Sequence, residues 1–149
     1  MKDKRSTGDG LDVKNIYGTW VAGYDAEDLD EVMSVFDRAV IFSEPCAPDQ
    51  TYDKLVSWYK FDFARTGPRP HWVFEIEWMD ASGDLAVVVA RWKGFTDFGD
   101  SRLQAQVRGF RSVDVFQRTP SGWKIVRTFN EPNECDPAPM KGKKKKKKK

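Results

Sequence analysis

The spacing of apolar residues changes once along this chain, at Pro70, and that change limits the folds open to it. Before Pro70 hydrophobic residues recur at three- and four-residue steps; after it they alternate. The first spacing puts a stripe on a helix and the second a face on a strand. Helices followed by a sheet must bury their stripes on its apolar face, which predicts an α+β layer structure.

In the helical part, Val13, Ile16, Tyr17, Trp20, Val21 and Tyr24 predict a first helix over residues 12–24. Asp28 stands three residues before Glu31 like a capping box, and Leu29, Val32, Met33 and Phe36 predict the buried side of a second helix. Val40, Ile41 and Phe42 predict a short strand stopped by Pro45, with 45–50 a loop. A third helix is expected from near Thr51, carrying Tyr52, Leu55, Val56, Tyr59 and Phe63 on one side. Gly67, Pro68 and Pro70 end it.

In the strand part, Trp72, Phe74, Ile76 and Trp78 alternate with Val73, Glu75, Glu77 and Met79, so one face is expected apolar. Residues 85–95 form a near-continuous apolar run broken by Arg91 and Lys93. Two further strands are expected over 104–117 and 123–130, with a turn at 120–122, completing an antiparallel meander.

The chain has 149 residues, the size of one domain, and no apolar stretch approaches the roughly 20 residues that span a bilayer. Domain boundaries are expected at 1–11, a charged disordered N-terminus, at 12–131, the globule, and at 132–149, a disordered tail with prolines and lysines. Residues 1–10 lack the apolar run of a secretory signal, which makes the expected location cytoplasmic. Cys46 and Cys135 sit in separate proline-rich contexts without metal-ligand spacing and read as free thiols, so no metal site is expected. Lys141 and Lys143 to Lys149 supply eight of the 25 basic residues, leaving 17 basic against 23 acidic before them. Such a run attracts nucleic acid or anionic lipid by charge alone. Without interleaved aromatics or a second lipid anchor it reads more simply as a solvating tail, and nucleic acid enters only through it.

The order of these elements carries a resemblance. Residues 16–20 (Ile-Tyr-Gly-Thr-Trp), 28–36, 39–42 with Pro45, then 83–92, 113–116 and 122–126 resemble the opening and closing segments of SnoaL-like domains. These belong to the nuclear transport factor 2-like (NTF2-like), ketosteroid isomerase-like superfamily. The resemblance covers about residues 12–130. It implies a cone-shaped fold of three N-terminal helices packed on a curved antiparallel sheet enclosing a pocket, and a homodimer formed through the outer sheet face. It implies no single reaction, and with no G-x-x-x-x-G-K, G-x-G-x-x-G or H-E-x-x-H pattern in the sequence no cofactor is expected.

A steroid isomerase of this fold uses a carboxylate base with a tyrosine and a protonated acid that polarise a carbonyl. By resemblance the base falls near Glu44, which becomes the candidate general base, acting if the pocket wall desolvates it. The tyrosine falls near Trp20 and the second acid near Ser112, so two of three roles are changed and that reaction is set aside. An epoxide hydrolase would need an acid two residues from a strand arginine, but Arg91 is followed by Lys93.

The candidate ligand-binding residues are chiefly aromatic. Trp20, Tyr24, Phe42, Trp58, Phe61, Phe74, Trp92 and Phe110 come from elements that would surround one cavity, and aromatic walls suit a flat apolar ligand. Ordinary core packing competes for each of them. Ser112 and Asn130 could hydrogen-bond a ligand or satisfy backbone. Arg91, with Arg108 and Arg111, could bind an anion inward or form an outer ladder with Glu75 or Glu77. His71, the one histidine, is expected at an exposed strand start. Two functions follow: a pocket that binds an apolar or aromatic metabolite, with acid–base chemistry at Glu44, or a non-catalytic dimerisation or adaptor module. An open cavity favours the first. A cavity filled by tryptophans and an apolar outer face favour the second.

Overall fold

The computed structural model describes residues 4–44, 47–96 and 105–131, with side chains over 12–44, 47–96 and 109–131. Its helices are α1 (Lys4–Ala26), α2 (Leu29–Met33) and α3 (Tyr52–Ala64). Its strands are β1 (Phe36–Glu44), β2 (Ala47–Gln50), β3 (His71–Ser82), β4 (Leu85–Thr96), β5 (Ala105–Thr119) and β6 (Gly122–Glu131). They form one curved six-stranded sheet in the order β2-β1-β6-β5-β4-β3. α1 packs on β3 and β6, and α3 on β1 and β2.

The strands β3 to β6 form the antiparallel meander that alternation predicts. The sheet as a whole is mixed, because β1 pairs parallel to β6. Sequence cannot show that pairing, since it joins the two ends of the globule. β1 is also longer than the three apolar residues suggest, and Phe36 opens it rather than closing α2. α2 is a single turn: Asp28 caps it by accepting the amide of Glu31 at 3.1 Å, and Ser34 ends it. Part of the expected 45–50 loop is strand instead, with Ala47–Gln50 folded back on β1. α3 begins as expected, with Thr51 capping Lys54 and Leu55, Tyr59 and Asp62 buried. α1 starts earlier than periodicity places it, taking into the helix residues 4–11 that composition assigns to a disordered N-terminus. The tail, Cys46 and Cys135 lie outside the described residues.

One local irregularity redirects an entire strand face. Ile76 faces Ala90 but Trp78 faces Val89, so Glu77 is an extra residue in β3. A one-residue bulge exchanges the two faces beyond it. Trp78, inward by simple alternation, therefore points out and is 53% exposed, while Met79 packs against the core. On the outer face Trp78, Val89, Val113 and Phe129 stand in register across four strands. Beside this apolar row, Glu77 receives Arg91 Nε at 2.7 Å and Arg111 Nε at 3.0 Å, and Arg111 also reaches Glu131 at 3.2 Å. Arg91 and these partners hold the Glu77 carboxyl below the usual carboxylate range.

The core fills the space between helices and inner sheet face. Val13, Val32, Val40, Val88 and Phe116 are fully buried, each contributing about 1.5–3 kcal/mol by burial. Tyr17 meets Phe74, Trp92 and Phe116 edge-on at centroid distances of 5.2, 5.1 and 5.8 Å, a favourable quadrupole arrangement that locks α1 onto the sheet. Gly23 lets α1 approach α2 closely: a Cβ there would lie 2.9 Å from the Val32 amide nitrogen.

Candidate functional site

A cavity of about 80 Å³ lies between α1, α3 and the inner face of the sheet. Its apolar lining includes Trp20, Phe42, Trp92 and Phe110, four of the residues expected there, together with Val35, Phe36, Tyr59 and Ile125. Its polar lining is Tyr17, Ser112, Asp114, Thr128 and Asn130. The volume is small against the roughly 300–1,000 Å³ of drug-sized ligand sites.

The polar groups form one network centred on a buried carboxyl. Asp114 Oδ2 accepts the Tyr17 hydroxyl and Ser112 Oγ, the latter at 3.0 Å, and Oδ1 accepts Thr128 Oγ1 at 2.9 Å. Ser112 Oγ in turn accepts the Trp92 indole N–H at 3.1 Å. Strand geometry explains the convergence: Ser112 and Asp114 share the inward parity of β5, and Thr128 is the register partner of Asp114 on β6. Asp114 is 3% exposed. Burial pushes its carboxyl up, and the hydrogen bonds from Tyr17, Thr128 and Ser112 pull the other way. Burial, and then the charge of Asp114, push the Tyr17 phenol well above its ordinary value. A carboxyl so placed can carry a proton under milder conditions than one in water, and when protonated it can release a neighbouring hydroxyl to donate elsewhere.

Neither Tyr17 nor Asp114 stands among the residues that sequence puts forward as site residues. Tyr17 belongs to the apolar stripe of α1, one turn before Trp20, and Asp114 lies two residues past Ser112 on the same strand face. Tyr17 thus stands one helical turn before Trp20, and Asp114 one inward step beyond Ser112, the two positions that resemblance picks out. The legible signal was an acid at an inward position of an otherwise apolar strand, Val113-Asp114-Val115-Phe116.

The remaining expected residues divide. Asn130 lines the cavity; its Nδ2 donates to Glu44 Oε2 at 3.3 Å, and its Oδ1 is buried with no partner among the described residues. Leaving such an acceptor unpaired costs about 1–3 kcal/mol. Glu44 itself is exposed and outside the cavity lining. Tyr24 and Phe74 pack behind the wall: Tyr24 stacks on Trp20 at 5.1 Å and gives its hydroxyl to buried Asp62 at 2.6 Å, and burial raises its phenol to about 12. Arg65 also holds Asp62, and Trp20 Nε1 donates to the Tyr59 hydroxyl at 3.0 Å. Trp58 and Phe61 do not face the cavity; at 46% and 67% exposure they stand off the buried side of α3, which Leu55, Tyr59 and Asp62 form. Arg91 belongs to the outer ladder and does not line this cavity; with Lys93, Arg111 and Glu131 it lines a separate polar pocket of about 200 Å³. His71 is at the exposed start of β3, 2.9 Å from Asp25. Among the described residues no group of side chains has metal-ligand geometry, and no helix is long and apolar enough to cross a membrane.

The chain belongs to the SnoaL-like domain family, whose model matches residues 18–128. A comparison with curated proteins finds no match. Among solved structures it is similar to a nuclear transport factor 2-like protein with a cystatin-like fold from Novosphingobium aromaticivorans (14% identity, 93% of this chain and 90% of that one, TM-score 0.68). It is also similar to a nuclear transport factor 2-like protein of unknown function from Shewanella oneidensis (15%, 83% and 98%, TM-score 0.67). A third is a ketosteroid isomerase-like protein from Erwinia carotovora atroseptica (14%, 83% and 95%, TM-score 0.63). At these identities the likeness shows the fold, and function must be argued from the site.

Proposed function

We propose that this domain binds a small, planar, largely apolar metabolite in the cavity and handles a proton there through Asp114 and Tyr17. The observation that carries the reading is the buried Asp114 carboxyl in an aromatic-walled cavity. An ionisable group without solvent is costly, and a core built only for packing would be better served by an apolar residue. Two other groups on the wall, the Tyr17 and Thr128 hydroxyls, stand ready to donate to a ligand oxygen when Asp114 is protonated. Glu44 is outside the cavity lining and hydrogen-bonds Asn130, so this reading gives the proton-handling role to the Tyr17–Asp114 pair rather than to Glu44.

The small volume favours a single-ring ligand. A homodimer through the outer sheet face is part of the same proposal, supported by the exposed Trp78 and Phe129 at the ends of one apolar row. It is compatible with a working cavity, because the two faces of the sheet are separate.

Tryptophan fluorescence tests the proposal, since Trp20 and Trp92 line the cavity. Full-length protein titrated with a panel of neutral single-ring compounds should show saturable quenching by at least one. Asp114→Asn and Tyr17→Phe should each weaken that binding several-fold. A panel without any saturable response would leave the adaptor reading in place.

A further inference from the structure

Trp92 does more than wall the cavity, because its indole N–H is committed to Ser112. The N–H donates to Ser112 Oγ at 3.1 Å, and Ser112 Oγ lies 3.0 Å from Asp114 Oδ2. An indole nitrogen can only donate and a carboxylate can only accept. The serine hydroxyl between them must therefore accept from Trp92 and donate to Asp114. The ring is held in place on several sides: Phe110 stacks on it with centroids 6.2 Å apart, and Tyr17 and Trp20 meet it edge-on at 5.1 and 5.6 Å. Strand register supplies the spacing. Trp92 on β4 is opposite Phe110 on β5, so Ser112 and Asp114 follow on the same inward face, and all three side chains are buried.

From this chain of hydrogen bonds we infer that Trp92 is a positioning residue for the proton on Asp114: acting through Ser112, it favours the ionised carboxyl over the protonated one. Two effects point the same way. A donor behind Ser112 polarises its O–H, which strengthens the bond that hydroxyl makes to a carboxylate. A protonated Asp114, in turn, needs an acceptor for its own O–H. Ser112 could accept it only by turning its hydroxyl away, and Trp92 offers that hydroxyl nothing but another donor. Burial opposes both effects by disfavouring the charge. The other groups that face Asp114 among the described residues are Tyr17 from α1, Thr128 from β6 and Val88 from β4. Of these only the Tyr17 phenol titrates, and burial moves it well above its ordinary value. The inference rests on Asp114 being the proton-handling group of the cavity and names the residue that tunes it.

The test is the pH titration of the Asp114 carboxyl carbon, followed by carbon-detected NMR on full-length protein and assigned by its loss in Asp114→Asn. Trp92→Phe removes the N–H and should raise the midpoint by about half a pH unit or more. Ser112→Ala removes the relay and should raise it by about one unit; adding Trp92→Phe to Ser112→Ala should then raise it no further. Packing alone predicts the opposite sign, because a smaller ring admits water, eases the desolvation of Asp114 and lowers the midpoint. A midpoint that stays or falls in Trp92→Phe therefore overturns the inference, as does a rise of the same size in the Ser112→Ala background. Benzothienylalanine at position 92 keeps the ring outline with sulfur in place of N–H, and it gives the same reading should Trp92→Phe fail to fold. Binding of the single-ring panel, phenol among it, is followed on the same samples by ligand-observed NMR and reports separately on the ligand-site reading. If the midpoints move as stated and no compound binds, the role of Trp92 stands and the ligand-site reading falls. If phenol binds and the midpoints do not move, the inference falls and the ligand site stands.

Discussion

The Tyr17 hydroxyl on α1 donates to Asp114 on β5, 97 positions along the chain, and so fastens the first helix to a central strand at the wall of the cavity. Its partners Ser112 and Thr128 hold the same carboxyl from β5 and β6. The network ties packing to the proposed chemistry, which makes its protonation visible in stability.

Stability should fall as pH rises through the range in which Asp114 ionises. Burial raises the folded-state value of this carboxyl above the ordinary 3.8, so the unfolded chain releases its proton first. The contribution is whole below 3.8 and is lost as pH climbs through the raised folded value. Asp114→Asn removes this titration, so melting temperatures followed from about pH 4 to about pH 8 should decline less steeply in the variant than in the wild type. Equal slopes would show that Asp114 ionises as it does in water.

Gly23→Ala separates local propensity from packing. In an exposed helix the change would stabilise by about 1 kcal/mol. Here the new Cβ would meet the backbone nitrogen of Val32 at 2.9 Å and Glu31 Cβ at 3.0 Å, and backbone yields little. The expected result is a loss of about 1–3 kcal/mol in urea unfolding. A raised midpoint would mean that α1 and α2 are not in close contact.

Trp78→Lys and Phe129→Lys, each made alone, should convert a dimer to monomer in sedimentation equilibrium while leaving phenol binding in place. Both side chains end the apolar row on the outer face, at 53% and 43% exposure, and a lysine on either copy would be buried unpaired at an isologous contact. A wild type that is monomeric at all concentrations would remove the dimer from the proposal.

Sequence spacing sufficed for what local patterns determine. The switch from helical to alternating period, the cap at Asp28, the start of α3 near Thr51 and the four-strand meander all appear where those residues predict them. Pairings between distant segments were not legible. The parallel contact of β1 with β6 has no local signature, and the bulge at Glu77 turned Trp78 outward against its own alternation. The site shows the same division. Trp20, Phe42, Trp92 and Phe110, which element order puts around a cavity, line it, as do Ser112 and Asn130, put forward for their side-chain chemistry. Tyr17 and Asp114 could not, because one is an ordinary core residue of an amphipathic helix until the other is brought against it. Trp58 and Phe61 were drawn in by being aromatic on the right helix, although the buried side of α3 runs through Leu55, Tyr59 and Asp62.

The position of β6 also sets a timetable for synthesis. The sheet is joined in the middle by its last strand, which lies between β1 and β5. A nascent chain lacking residues 122–131 holds two separate fragments: β1 with β2, and the β3–β5 hairpins. Each has an unpaired edge, and the aromatic inner face is only partly covered. The fold can close only once residues 122–131 have been made and can pair, so ribosome-bound intermediates that lack them should be clients for chaperones that shield strand edges and apolar surface.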